Sequence, residues 1–353
     1  MDNSLLLQIE KAKKSLLSSG VVCFPTETVM GLGVIYNDLD AYHKMNTIKE
    51  RPEDKPYTMM VKSVEDISLY GYVDEKVQRV IDTFMPGSLT ILLKAKENVL
   101  PYVTHNTGVI GIRIPTNKEA AILLKEVKLP LLVPSANKSG HKPALNSEEA
   151  KDIFKEEIDA YIDGKCIGGQ PSTIVDFSKG EPILIRKGPI SFDAIKAVYN
   201  GHKFEDTVIC YLIKNDEVLM LFRNKKEVDI NKGKWIGVGG HIEKGEDPLA
   251  AVIREVKEET ALRINKCEMA STITFFFKED VEVMHVFTST DFSGEVDYDC
   301  VEGTLKWIPL NNLFNIPLWE GDKLFLKPIL NHEPYFEMSM KYEGDSLVEY
   351  KKY

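Results

Sequence analysis

Three glutamates in the second half of the sequence, Glu255, Glu258 and Glu259, stand at i, i+3 and i+4. On a helix that spacing stacks carboxylates on one face. Like charges so placed repel by roughly a few tenths of a kcal/mol per pair, so convergence calls for a cation among them. Arg254 is one such cation and a hard divalent metal is another. Mg2+ prefers carboxylate oxygens and completes its shell with waters and substrate phosphates. The chemistry implied is a helix that presents Mg2+ to a polyphosphate. Taken alone, a Glu-x-x-Glu-Glu run more often marks a solvated helix face.

The flanking residues place those carboxylates. Gly240 to Glu246 reads as a glycine turn, Asp247 as an N-cap and Pro248 as a first helical residue. Leu249, Val252, Ile253 and Val256 recur at helical spacing and are expected to form the buried stripe. The whole stretch resembles the Nudix box, G-x(5)-E-x(7)-R-E-U-x-E-E-x-G-U, through Gly240, Glu246, Arg254, Glu255, Val256, Glu258, Glu259 and Leu262. The late glycine of the box is Ala261 here. The resemblance implies a hydrolase in which water attacks a phosphorus of a nucleoside diphosphate linked to another group. Glu255, Glu258 and Glu259 would be Mg2+ ligands with the Gly240 carbonyl, and Glu255 also a general base. Arg254 would orient the carboxylates and Glu246 would support the box. Glu302 falls where MutT-like members often place another metal-linked carboxylate.

Substrate choice lies outside the box. Asn231 to Trp235 and Trp319-Glu-Gly-Asp322 resemble the oxidised-purine nucleoside triphosphatases of the MutT group. By that resemblance Trp235 belongs to the substrate side, Trp319 stacks on a purine and Asp322 reads its edge. The expected activity is diphosphohydrolysis of nucleoside triphosphates of the 8-oxo-dGTP type. Ile236 departs from the asparagine that the animal enzymes carry after the tryptophan.

The first half carries a different set. Lys49 and Arg51 lie two residues apart and suit one phosphate group, as a point charge and a bidentate fork. Ser135, Asn137 and Ser139 follow an apolar strand, where open sheets place ligand loops. Arg186 follows another strand, and Thr26 and Thr28 suit a small polar molecule. Each stretch alone has a plain explanation, as surface charge or as a turn. Their order does not. Pro25-Thr-Glu-Thr28, Lys49-x-Arg51-Pro, Pro86-Gly-x-Leu-Thr90, Arg113-Ile-Pro115, Pro134-Ser-Ala-Asn137-x-Ser-Gly140 and Ser172-Thr-Ile-Val-Asp176 together resemble the YrdC-like family of L-threonylcarbamoyladenylate synthases, over roughly residues 5–200. Met30 stands where the family usually has tyrosine, and Glu50 where it has glycine.

That resemblance implies that N-carboxythreonine, made from L-threonine and bicarbonate, attacks the α-phosphorus of ATP. Threonylcarbamoyl-AMP and pyrophosphate result, with Mg2+ required in this half too. Lys49, Arg51, Ser135, Asn137 and Arg186 would serve ATP, with Ser139 on the same loop. Thr26, Thr28 and Ser172 would serve threonine, and Arg113 either. The product would pass through tRNA-modification partner proteins to tRNA, for N6-threonylcarbamoyladenosine. Double-stranded RNA binding comes with the same resemblance.

Composition bounds these readings. The 353 residues suggest about two domains. A net charge of −10 weighs against broad duplex binding, which needs basic surface, but leaves room for a local basic pocket. The five cysteines are odd in number and form no C-x-x-C, so a reducing, cytoplasmic setting is expected. No apolar run is long enough for a membrane span. The expected fold is α/β and α+β: a YrdC-like twisted mixed sheet with flanking helices over 1–201, a linker over 202–206, and a Nudix α/β/α sandwich over 207–353. The alternative is a nucleotide- or RNA-binding first half without synthase activity, with a Nudix half acting on another nucleoside diphosphate derivative.

Overall fold

The computed structural model describes residues 3–51, 56–166, 169–243 and 245–353. Pro52 and Lys55 of the Lys49–Pro56 stretch, and Lys244 of the box, lie outside the described residues. The chain divides into two compact units, Met1–Asn200 and Gly201–Tyr353.

The first unit runs α1 (Asn3–Leu17), β1 (Val22–Phe24), β2 (Gly31–Ile35), α2 (Leu39–Lys49), β3 (Thr58–Met60), α3 (Val64–Tyr70), α4 (Glu75–Phe84) and β4 (Leu89–Lys94). It continues with α5 (Pro101–Thr104), β5 (Val109–Arg113), α6 (Lys118–Val127), β6 (Leu131–Leu132), α7 (Ser147–Phe154), β7 (Ala160–Tyr161), β8 (Thr173–Asp176), β9 (Ile183–Arg186) and α8 (Phe192–Tyr199). The strands form one nine-stranded mixed sheet in the order β7-β1-β2-β6-β3-β5-β4-β8-β9. Helix starts follow the expected chemistry: Asp38, Asp74, Asn117 and Ser191 each accept a backbone N–H of the first turn. The cap of α7 lies one residue before a serine that could also serve. Asn146, not Ser147, caps α7 through Glu149 N, because its amide oxygen reaches the N3 donor while Ser147 is already helical and buried. On one side of the sheet, α1 and α6 bury Ile9, Ala12, Leu16, Leu123 and Leu124 against Val22, Phe24 and Leu131.

The second unit runs β10 (Lys203–Lys214), β11 (Glu217–Phe222), β12 (Trp235–Ile236), β13 (Val238–His241), α9 (Pro248–Thr260), β14 (Arg263–Phe277), β15 (Asp280–Ser293), β16 (Thr304–Pro309), α10 (Asp322–Leu330), β17 (Phe336–Glu343) and β18 (Ser346–Lys352). Its sheet has the order β12-β11-β10-β15-β14-β17-β18, with β13 on β10 and β16 on β11. Alternation along β10 sends Val208, Cys210 and Leu212 to a core with α9, and Ile209 and Tyr211 to another with α10. Helices therefore cover both faces, as a sandwich requires.

Two expectations fail here. Residues 202–206 are not a free linker: from Lys203 onward the chain pairs in parallel with Asp280 and its successors, so ladder bonds carry β10 past its apolar part. The buried stripe of α9 is also rotated. Ala251, Val252, Val256 and Thr260 are buried, while Leu249 and Ile253 are each 40% exposed, because the helix packs through its smaller side chains on the glycine-bearing β13. Among the described residues no helix is long and apolar enough to cross a membrane.

Candidate active sites

In the first unit a cavity of about 180 Å³ opens among the ends of β2, β3, β5, β8 and β9. Thr26, Thr28, Arg51, Arg113, Ser135, Ser172 and Arg186 all line it, with Met30, Tyr57 and Thr58. The sequence between β1 and β2 folds on itself: Thr26 Oγ1 donates to Val29 O at 2.7 Å and lies 3.0 Å from Thr28 Oγ1. Arg113, at the end of β5 and 5% exposed, donates from Nη2 to Glu27 Oε1 at 2.6 Å and to Thr28 Oγ1 at 2.9 Å. Its Nε is buried without a partner among the described residues. On the other wall, Arg186 donates from Nε to Ser172 O and from Nη2 to Ser172 Oγ, both at 3.0 Å, and Ser172 Oγ lies 2.9 Å from Thr90 Oγ1. Burial and then the nearby Arg113 charge lower the pKa of Arg186.

Lys49, Asn137 and Ser139 act one layer back. The Lys49 side chain is 1% exposed. Its ammonium donates to Ser135 O (2.5 Å), Asn137 O (2.7 Å) and Asn137 Oδ1 (3.3 Å), and Ser139 N donates to Lys49 O (2.9 Å). Burial, reinforced by Arg51, brings the amine down to about 7. Lys49 thus braces the Ser135–Ser139 loop, whose Ser135 Oγ donates to Asn137 Oδ1 at 2.6 Å. An antiparallel bridge between Gly31 and Ser135 ties this loop to the threonine segment. Glu50 explains how Lys49 and Arg51 diverge: it ends α2 in the left-handed region, at φ 51°.

In the second unit α9 and β13 meet at Gly240. A Cβ there would lie 2.6 Å from Glu255 Oε2, so any larger residue would have to push that carboxylate aside. Arg254 reaches Glu246 Oε1 (2.9 Å) and Oε2 (2.8 Å), Glu255 Oε1 (2.7 Å), Glu258 Oε2 (3.3 Å) and His241 O (3.1 Å). Its bonds to Glu246 and then Glu255 raise the arginine pKa, and Arg254 in turn lowers that of Glu246. Glu259 turns inward and accepts from Gly239 N at 3.0 Å. Burial pushes its carboxyl up to about 8; the Gly239 N–H opposes the rise, and Glu302 and Glu255 add to it. Glu302 is therefore near the platform, but Arg223 and Lys226 hold its carboxylate. Burial raises its pKa, and these two cations bring it below the usual range. In kind, glutamate oxygens beside a glycine cradle fit a hard divalent cation. Among the described residues no three such groups already surround one point, and Arg254 bonds those nearest Gly240.

The substrate-side residues gather elsewhere on this unit. Trp319 donates from Nε1 to Asn231 Oδ1 at 2.8 Å, and the Lys234 ammonium stands 5.1 Å over its ring. Asp322 starts α10, 7% exposed, and accepts from Trp319 N at 3.3 Å. Burial pushes its carboxyl up to about 7. Trp235 packs on Phe222, centroids 5.0 Å apart, as part of the core on the α10 side. Sequence reasoning missed Glu27, which pairs with Arg113, and Arg223, which is 8% exposed and pairs with Asp229 and Glu302. For Glu27 the signal was its place between two hydroxyls already singled out.

Comparison with known proteins gives two matches along the chain. The Sua5/YciO/YrdC family model, described as telomere recombination, matches residues 14–188, and the NUDIX domain model matches residues 203–327. A threonylcarbamoyl-AMP synthase of Bacillus subtilis is 35% identical over 194 residues, 54% of this chain and 56% of that protein. The chain thus spans little more than half the length of the Bacillus protein. A putative threonylcarbamoyl-AMP synthase of Methanocaldococcus jannaschii is 35% identical over 185 residues, 52% of this chain and 86% of that protein. The crystal structure of Escherichia coli YciO is 28% identical, covers 53% of this chain and 91% of that one, and superposes with a TM-score of 0.50.

Proposed function

Because the chain belongs to the Sua5/YciO/YrdC family through its first half and carries a Nudix domain in its second, we propose a bifunctional enzyme. The first half makes threonylcarbamoyl-AMP from ATP, L-threonine and bicarbonate; the second cleaves nucleoside triphosphates to monophosphate and pyrophosphate. The observation that carries the first activity is the convergence of Arg51, Arg113, Arg186 and the hydroxyls of Thr26, Thr28, Ser135 and Ser172 on one cavity.

Arg51, Arg186 and the loop braced by Lys49 receive the triphosphate, where positive charge offsets what develops on the leaving pyrophosphate. Thr26, Thr28 and Ser172 position threonine, with Arg113 offering its remaining donors to a carboxylate. The cavity walls, Met30 among them, keep water from a labile carbamate. In the second half Glu255, Glu258 and Glu259, with the Gly240 carbonyl, would hold Mg2+, which would neutralise pyrophosphate and acidify water. Arg254 orients these carboxylates, Glu255 accepts the proton of the attacking water, and Glu302 would be a further ligand once freed from Arg223 and Lys226. Trp319 and Asp322 read the base; a purine on the Trp319 face takes the place of the Lys234 ammonium. The 8-oxo-dGTP type is the substrate class we assign, and transfer of the first product to tRNA through partner proteins is part of the same proposal.

The test supplies the full chain with ATP, threonine, labelled bicarbonate and Mg2+. A Glu258→Gln background removes pyrophosphate made by the second half. Label in an adenylate product supports the synthase; ATP binding with no labelled adenylate favours the second reading, a nucleotide-binding module. Met30 is the observation behind that second reading, since it puts a fully buried thioether in the cavity wall where the family usually has a phenol. A panel of 8-oxo-dGTP, dGTP and other nucleotides tests the second half, and no pyrophosphate from any of them removes the assignment.

A further inference from the structure

Tyr57 directly precedes β3 at the edge of the first-unit cavity, where it is 3% exposed. Three contacts fix it. The Arg51 guanidinium carbon stands 4.7 Å over the centre of its ring. Its hydroxyl donates to Asn46 Oδ1. Its ring meets Tyr42 edge-on, centroids 5.6 Å apart. Asn46 lies on α2 one turn before Lys49, and its backbone oxygen also accepts from Arg51 N at 3.1 Å. One asparagine therefore anchors both partners of the stack, the arginine by its backbone and the tyrosine by its side chain.

A purely structural role fits this arrangement poorly. Asn46 is 7% exposed and its Nδ2 has no partner among the described residues. A buried amide with an orphaned donor is a costly way to fill a core, where an apolar residue would serve. What the amide supplies is an acceptor that sets the plane of the Tyr57 ring, and that plane sets where Arg51 points. Arg51 also donates from Nη2 to Pro56 O at 3.2 Å, which leaves the face of its guanidinium for the ring.

We infer that Tyr57 is a positioning residue for the nucleotide: its ring holds the Arg51 guanidinium at the cavity, in the orientation that receives an ATP phosphate. This rests on the nucleotide reading of the cavity proposed above. A guanidinium whose face is held against a ring has its plane and direction set before a phosphate arrives, so binding starts from an ordered group. The consequence is a residue that governs ATP affinity without touching ATP.

The experiment measures binding of α,β-methylene-ATP, which neither half can cleave at that linkage, to the full chain by calorimetry. Phenylalanine and its mono-, di- and trifluoro derivatives replace Tyr57 in turn, since fluorine drains the ring face while leaving its shape. Affinity is expected to fall stepwise along the fluorine series, by about tenfold in all. Tyr57→Phe itself should stay within about threefold of the unsubstituted protein, because the ring remains. In an Arg51→Ala background the whole binding series should be flat, and with Arg51 present the KM for threonine should stay constant along the series. A flat series with Arg51 present overturns the inference, as does an equal decline in the Arg51→Ala background. Analogue binding left unchanged by Arg51→Ala alone would show that the analogue does not use this cavity and overturns the nucleotide reading itself, which separates the two failures.

Discussion

In the first unit, polar residues as far apart as Thr26 and Arg186 converge on one cavity. In the second, the acidic platform comes almost wholly from Gly239 to Glu259, one strand end and one helix. The first site is cationic and braced through backbone: Lys49 serves the Ser135–Asn137 loop by donating to its carbonyls. The second is anionic and is held together by one side chain, Arg254, which bonds Glu246, Glu255 and Glu258. A dispersed site makes each residue a support for another. A contiguous one concentrates its function in a few interchangeable charges around a single counter-ion.

The largest effect expected from this contrast is a clean separation of activities. Glu258→Gln should lower nucleotide hydrolysis about 10²-fold and leave labelled adenylate formation unchanged. Arg51→Ala should do the reverse, with loss of adenylate and intact hydrolysis. Product assays on the full chain for both activities read the outcome, and a substitution that lowers both would break the picture of two self-sufficient sites. Next in size is Gly240→Ala. The added Cβ would lie 2.6 Å from Glu255 Oε2. Displacing that carboxylate by about 1 Å should lower hydrolysis about tenfold to a hundredfold, with thermal unfolding little changed. Unchanged hydrolysis would show that Glu255 is not needed where the structure puts it.

The same contrast governs what the sequence reveals. The Nudix helix is legible because its ligands, its N-cap Asp247 and its Pro248 lie within one stretch, and local spacing alone puts the carboxylates on one face. What was not legible is the inward turn of Glu259 to Gly239 N, or the exposure of Leu249 and Ile253. Both depend on how α9 seats on β13, which no periodicity encodes. The site of the first unit was legible only through the ordered set of short motifs. That Arg113 meets Thr28 across 85 positions, or that Lys49 faces carbonyls instead of the cavity, is tertiary information. Strand pairing hid the start of β10 in the same way. Lys203 to Asp206 carry little apolar pattern and become strand by pairing with β15.

Buried charge gives the two units opposite pH responses. Burial brings the Lys49 amine from 10.5 down to about 7. A depressed folded pKa contributes stability that is present above the unfolded value and lost as pH falls to the folded one. Stability of the first unit from this group therefore rises between about pH 7 and pH 10.5. Asp322 is pushed from 3.8 up to about 7. A raised folded pKa contributes stability below the unfolded value that is lost as pH rises through the folded one. The Asp322 contribution to the second unit thus fades between pH 3.8 and about 7. Urea unfolding of the full chain over this range, compared with Lys49→Met and Asp322→Asn, measures both. Each substitution should flatten the slope of its own unit's transition and leave the other's. A slope unchanged by either one would remove that residue from the comparison.

The smallest effect tests the one feature the two sites share. Each of their helices ends in the left-handed region on a residue other than the family's glycine: Glu50 at φ 51° and Ala261 at φ 61°. Both backbones are doing what a C-terminal cap does, since Glu50 N donates to Asn46 O and Thr47 O, and Ala261 N to Lys257 O. A Cβ in that region costs about 1–2 kcal/mol, of which glycine gives back about 0.5–1 kcal/mol through its freer unfolded chain. Ala261→Gly should therefore stabilise the second unit by about 0.5–1 kcal/mol. Glu50→Gly gains the same relief but loses the Lys138 ion pair, 3.5 Å long with Glu50 71% exposed. An exposed pair contributes about 0–1 kcal/mol, so the net gain in the first unit should be smaller. The urea midpoints of the two transitions decide it. A larger gain at Glu50 than at Ala261 would mean that the ion pair contributes nothing and that the turn holding Lys49 and Arg51 apart is the more strained of the two.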